Sequence, residues 1–188
     1  MRRDRFERNP GERPDMRPRH MGPRRGMGPM RLERVDALDR YDSDALRYYM
    51  SATMPETSDS DFNWRAFLAR NNDELVATYG NLVNRVFTLI GRHFDGKTPD
   101  AGQPRPKDAE LIAKAEAAME SVAVSIETCR FREAVQGWMG LARDANRYLE
   151  NQAPWKQVKE DKEASAHTLY TALCVISGLR VMTYPVIP

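Results

Sequence analysis

Apolar residues return at intervals of three and four along most of this chain, the period of an amphipathic α-helix with one buried stripe. The longest stretch runs from Asn63 to about His93, where Phe67, Leu68, Leu75, Tyr79, Leu82, Val83, Val86, Phe87 and Ile90 fall on one face. A helix over Asp36 to Met50 precedes it, with Leu38, Tyr41, Leu46, Tyr49 and Met50 available for burial. Pro55 and the polar cluster at 58–61 close that segment. Gly96, Pro99, Gly102, Pro104 and Pro106 mark a loop over 95–106. Three further helices follow. Lys107 to Thr128 offers Leu111, Ala115, Ala118, Met119, Val122 and Ile126; Phe131 to Asn151 offers Ala134, Val135, Trp138, Leu141, Ala142, Ala145 and Leu149; Lys162 to Thr183 offers Leu169, Leu173, Cys174, Ile176 and Leu179. Long amphipathic helices joined by short connections predict an all-α, antiparallel helix bundle. No alternating strand pattern competes, and no internal repeat is visible.

Composition adds a tail to this picture. The 188 residues suffice for one core of ordinary size, and 41% apolar with 30% charged residues is an ordinary globular balance. The net charge of +2 is no nucleic-acid footprint in itself, but it is unevenly spread. Residues 1–30 carry nine Arg, no Lys and four acidic residues, about +5, which leaves about −3 for the remainder. With five Pro and four Gly and few large apolar side chains, that stretch is expected to be disordered. Its arginines suit RNA phosphates or simple solvation alike. The expected organisation is a tail over 1–30, a connecting helix and loop over 31–60, and a bundle over 61–188.

Cys129 and Cys174 are too few for a disulfide framework or a zinc site and read as reduced core residues. His20, His93 and His167 show no metal-ligand spacing, so no metal site is expected. No apolar run approaches the roughly 20 residues of a membrane span, and the N-terminus lacks the apolar segment of a secretory signal. The expected setting is cytoplasmic, without a membrane partner.

The chemistry lies in two segments. Asn81 and Arg85 are four residues apart and share a helix face. At roughly 100° per residue, each precedes a member of the apolar stripe (Leu82, Val86) by about 100°, which puts both at its solvent edge. Trp155 follows Pro154 where the fourth helix ends. An amide, a guanidinium and an indole are the groups that read and stack an unpaired base. The spacing alone allows the plainer reading, in which Asn81 and Arg85 solvate a helix and Trp155 covers one end of the core. Trp64 and Trp138 read as packing residues, and Arg47 as an ion-pair partner of Asp44.

These segments, Gly80-Asn81-Leu82-Val83-Asn84-Arg85 and Asn146-Arg147-Tyr148-Leu149-Glu150-Asn151-Gln152-Ala153-Pro154-Trp155, stand with Asp44-Ala45-Leu46-Arg47-Tyr48-Tyr49 and Asp59-Ser60-Asp61-Phe62-Asn63-Trp64. Together they resemble the anticodon-binding domain of methionyl-tRNA synthetase, a class I aminoacyl-tRNA synthetase, over about residues 33 to 188. The resemblance implies that Trp155 stacks on the first anticodon base, that Asn81 and Arg85 recognise the CAU anticodon of tRNA(Met) by hydrogen bonding, and that Pro154 holds the indole. Asn146 and Glu150 are the supporting candidates; Glu150 stands where the bacterial form more often has Asp.

The His-Ile-Gly-His-type and Lys-Met-Ser-Lys-Ser-type motifs of a class I catalytic core are absent, and the first lysine is Lys97. No catalytic residue is therefore assigned, and the polypeptide is expected not to charge tRNA alone. ATP and Mg2+ are the cofactors implied for the complete enzyme. A truncated or split gene product, and a free-standing module acting in trans or docking on a separate catalytic chain, both fit. A helical protein-interaction scaffold is the alternative of a different class, and it predicts that Asn81, Arg85 and Trp155 do not meet in space.

Overall fold

The computed structural model describes residues 40–56 and 59–188. The expected tail over 1–30 and the expected helical start over 36–39 lie outside the described residues.

The described chain is all-α. Helix α1 (Ser43–Ala52) is capped by Asp42, whose side chain accepts from the Asp44 amide, and it buries Tyr48, Tyr49 and Ala52. Arg47 pairs with Asp44 at 2.5 Å, as the sequence suggests. Helix α2 (Trp64–Arg70) starts at Asn63, whose Oδ1 accepts from the Arg65 and Ala66 amides. It continues without a break in right-handed backbone through a π-helical segment, Asn71–Gly80, into α3 (Asn81–His93). The long helix expected from Asn63 to His93 is therefore present, but with a widened middle.

Within that middle, the Thr78 hydroxyl donates to the Asp73 carbonyl five residues back. A Cβ on Gly80 would sit 3.0 Å from the Leu75 carbonyl oxygen, also five residues back. Glycine there accommodates the wide turn.

Helices α4 (Pro106–Glu127) and α5 (Phe131–Gln152) pack along each other, and both pack on α7 (Lys162–Thr183). The α4/α5 approach is close: a Cβ on Gly137 would lie 2.9 Å from Val122 Cγ2. A short helix the sequence reading lacked, α6 (Pro154–Glu160), lies against α7. Helix α1 and the π segment lie against α5.

The core gathers Tyr48, Leu82, Val86, Leu111, Val122, Trp138, Leu149, Leu169, Val175 and Leu179, all at most 4% exposed. A satellite cluster of Tyr41, Tyr49, Phe62, Trp64 and Phe67, with ring centroids 4.9–6.0 Å apart, joins α1 to the start of α2. Trp64 and Trp138 thus pack, as expected.

Several expected core positions are corrected. Cys174 is exposed because it lies about 200° around α7 from buried Ala172. Cys129 is exposed in the α4/α5 turn, where it takes a left-handed φ of 59°. Met50, Leu68, Phe87 and Met119 are also substantially exposed, at the rims of their helices.

One polar cluster penetrates the core. Asp108, fully buried in the first turn of α4, accepts from Arg105 Nε (2.8 Å), Arg105 Nη2 (2.9 Å), the Arg105 amide (3.1 Å) and the Tyr148 hydroxyl (2.6 Å). Arg105 Nη2 also donates to Thr168 Oγ1 at 2.9 Å. The single proton of Thr168 is shared between Gln157 Oε1 and the Ala164 carbonyl, each 3.0 Å away. Four helices are tied at this point: α4, α5, α6 and α7.

Candidate nucleic-acid interface

The surface that carries the candidate residues is made by α3, the C-terminal half of α5 and the first turn of α6. Residues on α3 with the buried stripe Leu82, Val86 and Ile90 turn Asn81 outward and leave Arg85 at the margin. Helix α5 ends at Ala153, a non-glycine residue in left-handed backbone (φ 48°, ψ 58°). Its amide donates to the Leu149 carbonyl at 2.9 Å, and its own carbonyl accepts from the Lys156 amide at 2.8 Å.

The chain therefore reverses within one residue and restarts as α6, with Pro154 in the first helical position where its missing N–H leaves nothing unsatisfied. Pro154 stands where the preceding helix ends, as the sequence suggests, and it also begins a new one. Trp155 consequently sits on a helical turn and not in a loop. Pro154 is buried, and its carbonyl accepts from the Ser165 hydroxyl of α7 at 3.3 Å. The position of α6 is fixed again, one turn on, by Gln157 and Thr168.

Trp155 is 37% exposed. Arg85 Cζ lies 4.9 Å from the centroid of its ring, a cation–π contact between α3 and α6. Arg85 Nη1 lies 3.8 Å from Glu150 Oε1, a long ion pair whose carboxylate is largely solvated and which contributes little to stability. Arg85, Trp155 and Glu150 thus meet, and a cleft between Asn84, Arg85, Thr88 and Trp155 opens beside the indole.

Asn81, one turn before Arg85, borders a second groove with Thr78, Asn146 and Glu150. Asn146 is committed to the fold: its Nδ2 donates to the Thr78 carbonyl at 2.9 Å and to the Ala142 carbonyl at 3.1 Å. That bond ties α5 to the π segment just ahead of Asn81. The Asn146 Oδ1 is buried with no protein partner.

Burial, the largest single influence, pushes the Asp108 carboxyl up. The hydrogen bonds from Arg105 and Tyr148 together outweigh it and hold the group below its ordinary value. Tyr148 is pushed up to about 12, first by burial and then by its bond to the Asp108 carboxylate. Among the described residues no group of three or more His, Cys, Asp or Glu side chains has a metal-binding arrangement, and no helix is long and apolar enough to cross a membrane.

Sequence reasoning missed Arg143 and Arg147, which line the groove beside Asn81. Their signal was present: spaced four apart on α5, they share its outer face with Glu150.

Known proteins are similar to this chain in sequence and in fold. Residues 30–87 match the family model of tRNA synthetases class I (M), and residues 98–188 match that of the anticodon binding domain of methionyl tRNA ligase. A methionine–tRNA ligase of Dehalococcoides mccartyi is 52% identical over 153 residues, 81% of this chain and 28% of that protein. The ligase of Chloroflexus aurantiacus is 43% identical over 153 residues, again 81% of this chain, and 25% of its own length. The crystal structure of free-state Mycobacterium tuberculosis methionyl-tRNA synthetase superposes with a TM-score of 0.74 at 28% identity. That match covers 77% of this chain and 30% of the mycobacterial chain. The chain spans little more than a quarter of the length of these curated relatives.

Proposed function

The chain belongs to the methionyl-tRNA ligase family, as its anticodon-binding domain, and from that premise we propose that it reads the CAU anticodon of tRNA(Met). Bases of an anticodon loop are not held in a duplex and can be splayed outward, each presenting a flat face and a hydrogen-bonding edge. In this reading Trp155 stacks on the first anticodon base through the part of its indole that Arg85 leaves open. Asn81 and Arg85 pair with base edges. Pro154 holds the indole through its buried place in the first turn of α6. Glu150 orients the Arg85 guanidinium, and Asn146 fixes the backbone from which Asn81 projects.

The observation that carries the reading is the contact between Arg85 and Trp155, residues 70 positions apart in sequence, at 4.9 Å. It supports a composite surface in which stacking supplies affinity and the polar groups supply discrimination. It also speaks against a scaffold that binds only protein, which predicts that Asn81, Arg85 and Trp155 do not meet; Asn81 lies one turn away, on the neighbouring groove.

The ATP-dependent attachment of methionine, with Mg2+, belongs in this proposal to a catalytic domain outside these 188 residues. Whether that domain is contiguous or a separate chain, the role of this unit is to present the correct tRNA to it in the cytoplasm. The test is binding of the purified chain to tRNA(Met) with wild-type and altered anticodons at about 0.15 M salt, where non-specific phosphate contacts are weakened. The expected result is binding that depends on the anticodon and is lost in Trp155→Ala. Equal binding to every anticodon would overturn it.

A further inference from the structure

Helix α5 separates two grooves. On one side, α5 and the π segment enclose the groove beside Asn81, into which Arg143 and Arg147 extend. On the other, α5 and α4 enclose a cleft bordered by Lys107, Lys114 and again Arg147. Arg147 lines both, so it stands on the ridge between them, with its side chain 73% exposed. The four cations form a band that runs from the outer face of α5, with Arg143 and Arg147, onto α4, with Lys107 and Lys114.

Three carboxylates lie in the same two grooves, and two of them pair with cations of the band, Lys114 and Arg147. Glu110 pairs with Lys114 at 3.0 Å within α4. Asp144 reaches Arg147 only at 3.8 Å, and Glu150 is directed to Arg85 at the same distance. Among the described residues, neither Lys107 nor Arg143 has a carboxylate within 4.0 Å. Arg143 and Arg147 are separated by about 6 Å along the helix axis, four residues at 1.5 Å each. That is comparable with the separation of successive phosphates on a nucleic acid strand. Arg143 also shares its groove with Asn81.

We infer that Arg143 and Arg147, flanked by Lys107 and Lys114, form a track for the phosphodiester backbone of an RNA strand leading away from the base-reading surface. The inference rests on the anticodon-binding reading and adds to it a sequence-independent contact. Its occupant is the backbone, not the bases: solvated guanidinium groups on an open helix face offer charge and bidentate donors to phosphate and no enclosed pocket for a base.

The test compares wild type, Arg143→Gln and Arg147→Gln in the full chain. It measures fluorescence anisotropy with two stem-loop RNAs, one bearing CAU and one an altered anticodon, from about 0.05 to 0.2 M salt. Each variant is expected to weaken both RNAs by the same factor and to reduce the slope of log affinity against log salt by about 0.7 per lost phosphate contact. The disadvantage of each variant then shrinks roughly 2.6-fold across that range. Arg147→Lys is expected to restore the slope. Arg132→Gln, an exposed cation at the opposite end of α5, is expected to leave it unchanged.

An unchanged slope in both variants would overturn the track, as would a loss confined to the CAU RNA. Equally tight binding of poly-glutamate with the same losses would assign the band to an acidic protein and overturn it as well. Failure of the anticodon reading looks different: wild type would bind both RNAs equally, and the arginine variants would still lower the slope.

Discussion

A guanidinium 4.9 Å from the Trp155 centroid means that one face of the indole is covered and its orientation held in the free protein. The contact contributes on the order of 0.5–1 kcal/mol at an exposed site, too little to matter for folding and enough to bias a rotamer. Trp155→Ala is therefore expected to leave stability within about 1 kcal/mol of wild type while weakening a CAU stem-loop by about 1–3 kcal/mol; chemical denaturation and a binding titration separate the two.

Asp108 behaves in the opposite way, as a residue of the fold. Its carboxyl titrates below the ordinary value, so its stabilising contribution is complete above the unfolded carboxyl pKa of about 4 and is lost as pH falls through the lower folded value. Asp108→Asn should flatten the loss of stability below about pH 4, seen in denaturation midpoints across pH. Tyr148→Phe removes a hydrogen bond to that charge, and urea unfolding is expected to register a loss of about 1.5–3 kcal/mol.

At the scale of elements, the three long helices after the loop were legible because the apolar stripes of all three run between short turns; Pro106, read as part of the loop, is the first residue of α4. The π segment was not legible. One extra residue per turn over Asn71–Gly80 leaves apolar spacings of three and four intact, and the only local sign is a glycine at its end. The short α6 was hidden because a proline reads equally as the stop of one helix and the first residue of the next. Exposed Cys174 marks a further limit: a helix rich in small and apolar residues on all sides does not announce which face is buried.

Two glycines in one continuous helix test the π reading. Gly91 has open space where a Cβ would go, so Gly91→Ala is expected to stabilise by about 1 kcal/mol through helix propensity. Gly80→Ala should forfeit that gain or destabilise, because its Cβ meets the Leu75 carbonyl at 3.0 Å. Thermal unfolding of both variants provides the comparison. Ala153→Gly, which relieves a left-handed alanine between α5 and α6, should raise stability by about 0.5–1 kcal/mol in the same assay.

On the scale of the whole molecule, α1, the long helix and the last three long helices share one core centred on Trp138, which is 1% exposed on α5. Trp138→Ala is expected to cost about 3–5 kcal/mol and to lower the unfolding midpoints of α1 and α7 together, since both pack on α5. Separate transitions by near-ultraviolet and far-ultraviolet dichroism would contradict a shared core. Helix α5 has a further role in the architecture. Its first turn is capped from outside by Glu56, whose Oε1 accepts from the Arg132 amide at 2.8 Å, and its last turns carry Arg147 and Glu150. Fifteen to eighteen residues of unbroken helix separate Arg132 from Arg147 and Glu150, a span of about 23–27 Å at 1.5 Å per residue. The helix is thus a rigid ruler: the segment that leads the chain into the bundle and the groups proposed to meet RNA are held at one fixed distance, whatever the loops between them do.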